Sequence, residues 1–227
     1  MKKTKSIITL IGSALLLFSC GKNANAQGAI TGKVKIGTQT WAITNLNVIT
    51  FNNGDTIPEA KTKEAWNKAG TDGKPAWCYY NNDKNNGPKY GKLYNWYAVN
   101  DQRGLAPNGW HVPSLGDWYL LIRHLAGQVE GNDAGTKMKS TRNWAMCNGG
   151  YGNGTNTSGF AGFPGGNRGN GGTFNFIGHM GSWWTSSSSS TESPIAWYLY
   201  LSCGDGTAWT YPGYNQSYGL SVRCIHN

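Results

Sequence analysis

Five cysteines, four histidines and 11 acidic residues carry most of the chemical potential of this chain. The cysteines are Cys20, Cys78, Cys147, Cys203 and Cys224, and the histidines are His111, His124, His179 and His226. No C-x-x-C, H-x-x-H or H-E-x-x-H spacing occurs among them, so spacing argues against a metal site. Cys20 ends the segment LFSC, directly after an apolar run, where a lipoprotein signal peptidase needs a thiol to carry lipid. With Cys20 lipidated, four cysteines remain. They permit two disulfides in three connectivities, or they stay as unpaired buried thiols. His111 lies beside Trp110 in a short strand and reads as a hydrogen-bonded structural residue. The serine run from Ser186 to Ser190 lacks the strand–elbow–helix context of a G-x-S-x-G nucleophile and reads as a loop. The stretch GFPGGNRGNGG has no P-loop lysine, and its glycines read as positions needing positive φ. No catalytic set and no cofactor motif emerges, so the chain reads as non-enzymatic.

Aromatic residues offer a different chemistry, stacking and pocket filling. The chain has 11 Trp and 12 Tyr. Trp183, Trp184, Trp197, Tyr198, Tyr200, Trp209, Tyr211 and Tyr214 crowd its C-terminal part. Strand alternation places Tyr198 and Tyr200 on one face and Trp197, Leu199 and Leu201 on the other. Trp209 and Tyr211 likewise share a face. Some of these residues must be core. The candidates for binding a glycan or a protein are Trp183, Trp184, Tyr198, Tyr200, Trp209, Tyr211 and Tyr214.

The N-terminus addresses the protein to a membrane system. Lys2, Lys3 and Lys5 precede the apolar run from Ile7 to Phe18, which is too short to span a bilayer and reads as a secretory signal. Residues 1–19 are the expected signal peptide, 20–29 a flexible polar tether, and 30–227 a folded domain. A lipidated Cys20 anchors the protein in the cell envelope, at the outer membrane or cell surface. The competing cleavage after Ala24-Asn25-Ala26 leaves a secreted or periplasmic protein. The formal charge of +9 is spread along the chain without a dense basic run, which gives no support to nucleic-acid binding. The 33 glycines lack a G-X-Y period and, with the aromatics, point to a loop-rich domain of short strands and tight turns.

Several elements must position these residues. Lys33 to Ile36 and Gln39 to Ile43 read as a hairpin around Gly37-Thr38, and Val48 to Phe51 as a further strand. Thr62 to Ala69 reads as a helix with Thr62 as N-cap. Leu93 to Asn100 reads as helix or strand; the spacing of Leu93, Trp96, Tyr97 and Asn100 favours helix. Ser114 caps a helix with Asp117 in a box-like position, and Trp118, Leu121, Ile122 and Leu125 form its apolar stripe. From Cys147 to Gly181 the chain is rich in Gly, Asn and Thr, punctuated by Phe160, Phe163, Phe174, Phe176 and Ile177 as anchors for ordered loops. Ser182 to Thr185, Ala196 to Cys203, Ala208 to Tyr211 and Leu220 to Ile225 read as strands. In the last, Leu220, Val222 and Cys224 share one face, with Ser221 and Arg223 on the other.

Seven segments in order carry a family resemblance. They are GTQTWAITNLN, YGKLYNWYAVND, GLAPNGWHVPS with a tryptophan following, AGTKMKS, SGFAGFPGGNR, GSWWTS and YGLSVRC. Together they resemble the Fibrobacter succinogenes major paralogous domain across residues 30–227. The resemblance implies an exported protein of Bacteroidota or related bacteria, often a lipoprotein. It implies an α+β, C-type-lectin-like fold: two or three helices on small twisted antiparallel sheets with long loops. The sugar-binding E-P-N, Q-P-D and W-N-D motifs of calcium-dependent lectins are missing, and carboxylates are too dispersed for a calcium site. The closely spaced cysteine pair of formylglycine-generating enzymes is missing too. What remains is an exported envelope lipoprotein that binds a glycan or protein. A structural or assembly component of the surface, or an enzyme with an unrecognised site, is the alternative.

Overall fold

A computed structural model describes residues 30–127, 133–147, 152–189 and 194–227. The signal segment, Cys20 and the tether lie outside the described residues, apart from the start of the domain at Ile30. The strands in chain order are β1 (Lys33–Ile36), β2 (Gln39–Ala42), β3 (Trp77–Cys78), β4 (Leu93–Tyr94), β5 (Trp110–His111), β6 (Gly165–Arg168), β7 (Phe174–Ile177), β8 (Met180–Ser188), β9 (Ile195–Ser202), β10 (Ala208–Asn215) and β11 (Ile225–His226). The α-helices are α1 (Lys63–Thr71), α2 (Gly87–Tyr90), α3 (Trp96–Val99), α4 (Leu115–Ala126) and α5 (Ala134–Met138). Among the described residues only α1 and α4 exceed two turns, so the α+β reading holds with more, and shorter, helical pieces than expected. Among the described residues, no helix is long and apolar enough to cross a membrane.

Two sheets organise the domain. One has the order β1-β2-β11-β5 and joins the start of the domain to its end, with Ile225 opposite Trp41. The other has the order β10-β9-β8-β6-β7; β6 and β8 run parallel, and the remaining pairs are antiparallel. β3 and β4 make a separate short pair.

Helix α4 forms where its cap signals lie. The Ser114 side chain accepts from the Asp117 amide, and the Asp117 carboxylate accepts from the Ser114 amide at 2.8 Å. This reciprocal box satisfies two otherwise orphaned donors at the helix start. The stripe then buries Trp118 and Leu121 against Trp41, Phe160 and Trp183. The Trp41 and Trp118 rings lie 4.6 Å apart, and Phe160 meets both edge-on.

The segment from Leu93 does not form one helix. Tyr94 exchanges backbone hydrogen bonds with Leu220, which holds it extended. Asn95 then caps a single turn, α3, by accepting from the Ala98 amide at 3.1 Å. Val48 to Phe51 forms no strand, only an isolated bridge between Thr50 and Thr56. The glycine-rich region contains the unforeseen hairpin β6–β7, with Gly166 at φ +65°. Phe160 anchors that region, as expected, whereas Phe176 is exposed. Ser186 to Ser188 belong to β8 rather than to a loop.

The C-terminal run departs from its expected alternation. Leu220, Val222 and Cys224 are buried, and so are Ser221 and Arg223. Both faces are covered, because the run threads between β2, β4 and β8. Arg223 is therefore a buried cation, held by the carbonyls of Ala42 and Phe160 and by Asn45, with its guanidinium over the Phe160 ring. Arg168 is built the same way. It donates to the carbonyls of Ala60, Thr62 and Gly172 between the rings of Trp66 and Phe174.

Candidate ligand platform on the C-terminal sheet

Strand alternation on β8 and β9 sorts the aromatic residues. Trp183 and Trp184 are consecutive, so they point to opposite faces of β8. Trp183 enters the core around Trp41 and Trp118, and Trp184 enters the one around Tyr94, Trp96 and Val222. Both are 0% exposed. Both indole N–H groups are satisfied internally, by Asn45 Oδ1 and by the Tyr94 carbonyl. The expectation that Trp183 and Trp184 could meet a ligand is therefore corrected: β8 is a central strand covered on both sides.

Moving outward, one face of the sheet opens to solvent. Trp184 stands opposite Tyr198, Tyr198 opposite Tyr211, and Tyr200 opposite Trp209. Residues in register share a face, so these side chains form one surface. Exposure rises across it, from 7% at Tyr198 through half-buried Tyr200 to 47% at Trp209 and 57% at Tyr211. The opposite face carries Leu199, Leu201 and Ala208, which pack into the α4 core. The edge strand is therefore held from below while its aromatic face remains open.

A stack of tyrosines fixes the platform. Tyr214 lies 4.3 Å from Tyr198 and 4.4 Å from Tyr218, nearly parallel to both. A bulge between Pro212 and Tyr214 shifts the register so that Tyr214 can reach this position. Tyr198 meets Tyr211 edge-on and Tyr200 at a tilt. Asn167 donates to the Tyr214 hydroxyl, and the Trp209 indole reaches Asp205 at 3.4 Å. Burial pushes the phenols of Tyr198, Tyr200 and Tyr214 above their ordinary range. They stay neutral at physiological pH and keep their O–H donors. The surface thus offers π faces with hydroxyls, an amide and a carboxylate around them. Tyr198 and Tyr214 mainly support the platform, while Tyr200, Trp209 and Tyr211 form its reachable part.

A polar cleft of about 490 Å³ adjoins the stack. It is lined by Asn67, Thr71, Tyr97, Asn170, Asn215 and Ser217, among others. Asn215 and Ser217 flank the chain between Tyr214 and Tyr218, so cleft and stack share a segment. Its asparagines, Asn67, Asn170 and Asn215, come from three separate parts of the chain, so no local motif marks them.

The cysteines fall into two groups. Cys147 and Cys203 form a disulfide with Cα atoms 5.6 Å apart. Cys78 and Cys224 are buried in different core clusters and carry free thiols, which corrects the possibility that they form a second disulfide. Burial pushes both of these thiols up to about 12, so they remain protonated and inert. His179 lies against the disulfide, with Nδ1 3.6 Å from each sulfur. Cys147, His179 and Cys203 form a group of potential metal-ligating atoms, all within 4.8 Å of one another. Motif spacing missed this group, since its members are brought together only by the fold. His111 is elsewhere, bonded to Asn227 at 2.7 Å and 3.6 Å from the Asp117 carboxylate.

No curated protein and no solved structure matches the chain. A family model does match, over residues 34–226, which is most of the chain and nearly all of the folded domain. The chain therefore belongs to the Fibrobacter succinogenes major domain family.

Proposed function

We propose that the protein is a non-enzymatic binding module of the cell envelope whose ligand is a glycan laid on the Tyr200–Trp209–Tyr211 platform. The observation that carries this reading is the graded aromatic face, rigid beneath and open above. A pyranose ring presents C–H bonds with partial positive charge, which complement the negative face of an aromatic ring. Its hydroxyls find partners in Tyr200, Asp205 and the asparagine-lined cleft. A C-type-lectin-like fold is consistent with the sheet in which β11, at the end of the domain, joins the β1–β2 hairpin at its start, and with two main helices beside small sheets. In this reading residues 1–19 export the chain, a lipidated Cys20 anchors it in the outer membrane or cell surface, and residues 20–29 give the domain reach.

Assembly through the free edge of β10 is less well supported. Pro212 cannot donate to an added strand, and the adjoining bulge twists the edge away. The glycan reading is tested by screening the protein against polysaccharides and envelope proteins by calorimetry and tryptophan fluorescence. Trp209→Ala with Tyr211→Ala should weaken glycan binding roughly 30- to 160-fold, since each ring contributes about 1–1.5 kcal/mol, while the variant still unfolds in one cooperative urea transition. Uniform failure to bind polysaccharide, or binding indifferent to this double variant, sinks the proposal. Mass spectrometry of the N-terminus from membranes tests the anchor, with acylated Cys20 expected and Gln27 overturning it.

A further inference from the structure

We propose that Cys147, Cys203 and His179 form a redox-gated site for a soft or borderline d-block cation, closed as the disulfide and opened by its reduction. In a tetrahedral zinc site, Zn–S bonds of about 2.3 Å and Zn–N bonds of about 2.0–2.1 Å place sulfur and nitrogen about 3.6 Å apart. His179 Nδ1 already sits 3.6 Å from both Cys147 Sγ and Cys203 Sγ. Two edges of the coordination polyhedron are thus preformed. Only the sulfur–sulfur edge must open, to about 3.8 Å, and breaking the disulfide permits that by side-chain rotation.

The backbone holds the three residues independently of the sulfur bond. The Cys203 amide donates to the His179 carbonyl at 2.9 Å, tying the start of β8 to the end of β9. The His179 amide donates to the Phe176 carbonyl at 2.9 Å, closing the β7–β8 turn. The Ala145 amide donates to the Gly178 carbonyl at 2.7 Å, fastening the Cys147 segment to that same turn. His179 is exposed and Cys147 half-buried, so a cation has a route in. Two thiolates and one imidazole leave a fourth position for water or a small ligand. That donor set selects Zn²⁺ or Cu⁺ over hard cations.

The opening step balances with a water-soluble phosphine as reductant. The phosphine gives two electrons and takes oxygen from water to become its oxide. The S–S bond breaks, and the two protons of that water leave two thiols. Zn²⁺ then displaces both thiol protons as it binds the thiolates.

The test uses the full chain, oxidised and phosphine-reduced, titrated with Co²⁺ as a spectroscopic probe and then with Zn²⁺ as competitor. The reduced protein should bind one Co²⁺ with thiolate charge-transfer and tetrahedral d–d bands, and Zn²⁺ should displace it. The oxidised protein should show neither band. Cys147→Ser or Cys203→Ser should weaken the charge-transfer band, and His179→Ala should lower Zn²⁺ affinity at least about tenfold. The proposal is overturned if the reduced protein shows no bands, or if the Cys147→Ser/Cys203→Ser double variant keeps them. It is equally overturned if His179→Ala binds as wild type does, or if reduction abolishes the near-ultraviolet tryptophan dichroism.

Discussion

Substituting Asn45 by alanine should cost this fold more stability than its size implies. Asn45 Oδ1 accepts from Trp183 Nε1 at 2.8 Å, Arg223 Nη2 at 2.8 Å and Arg223 Nε at 3.1 Å. Its Nδ2 donates to the Tyr90 carbonyl at 2.8 Å. Asn45→Ala leaves a buried indole donor and part of a buried guanidinium without partners. Each charge-assisted bond contributes about 1.5–3 kcal/mol, and an orphaned buried donor costs about 1–3 kcal/mol. Arg223 keeps its carbonyl partners, so the loss falls near 3–5 kcal/mol, as for other broken buried charge networks. Burial alone already pushes the Arg223 guanidinium below its ordinary pKa, so the network works against a real desolvation cost. Urea unfolding followed by tryptophan fluorescence measures the loss, with an unchanged m-value as the two-state control. Arg223→Met removes the charge that Asn45 serves. The double variant should therefore cost at least about 1 kcal/mol less than the sum of the singles. A loss under about 1 kcal/mol for Asn45→Ala, with additive behaviour in the double, would refute the reasoning.

Other expectations follow from the same structure. Burial pushes Lys92 down from 10.5 to about 8, so between those values the folded state releases its proton while the unfolded chain keeps it. That contribution to stability rises with pH across this window; urea midpoints of wild type minus Lys92→Met isolate it from the tyrosines and thiols, and a flat difference would contradict it. Ser114→Ala removes half of the capping box of α4 and should cost about 1 kcal/mol, read as a lowered urea midpoint. Gly166→Ala places a methyl group at φ +65° within 2.7 Å of the Ile177 amide nitrogen and against the Asn175 carbonyl, so it should destabilise by more than about 2 kcal/mol. A folded variant of wild-type stability would show that the β6–β7 hairpin is not built as described.

Local signals were legible wherever one segment contains its own reason for folding. Ser114 and Asp117 carry both halves of a cap, and Thr62 sits in place to accept from the Ala65 amide at 3.1 Å. β9 and β10 announce themselves by alternation around Gly204 and Asp205. Leu93 to Asn100 misled, because its helical spacing competes with a strand bridge from Leu220, 126 residues later. The segment Leu220 to Ile225 misled in the opposite sense. Its alternation is real, but a chain threaded between other elements has no solvent face.

The same division separates the two sites. The sequence by itself determined which family the domain resembles and that Tyr198 and Tyr200, and likewise Trp209 and Tyr211, share faces within their own strands. Period-two geometry is a property of a single strand. Only the tertiary structure decided that these two pairs lie on one common surface, because the β9–β10 register joins them. It alone decided that Trp183 and Trp184 are core, since burial depends on what covers β8 from both sides. Likewise, nothing local links Cys147 and Cys203, which are 56 residues apart, to His179. Their meeting is set by three backbone hydrogen bonds around the β7–β8 turn, and long-range pairings of that kind leave no periodic trace along the chain.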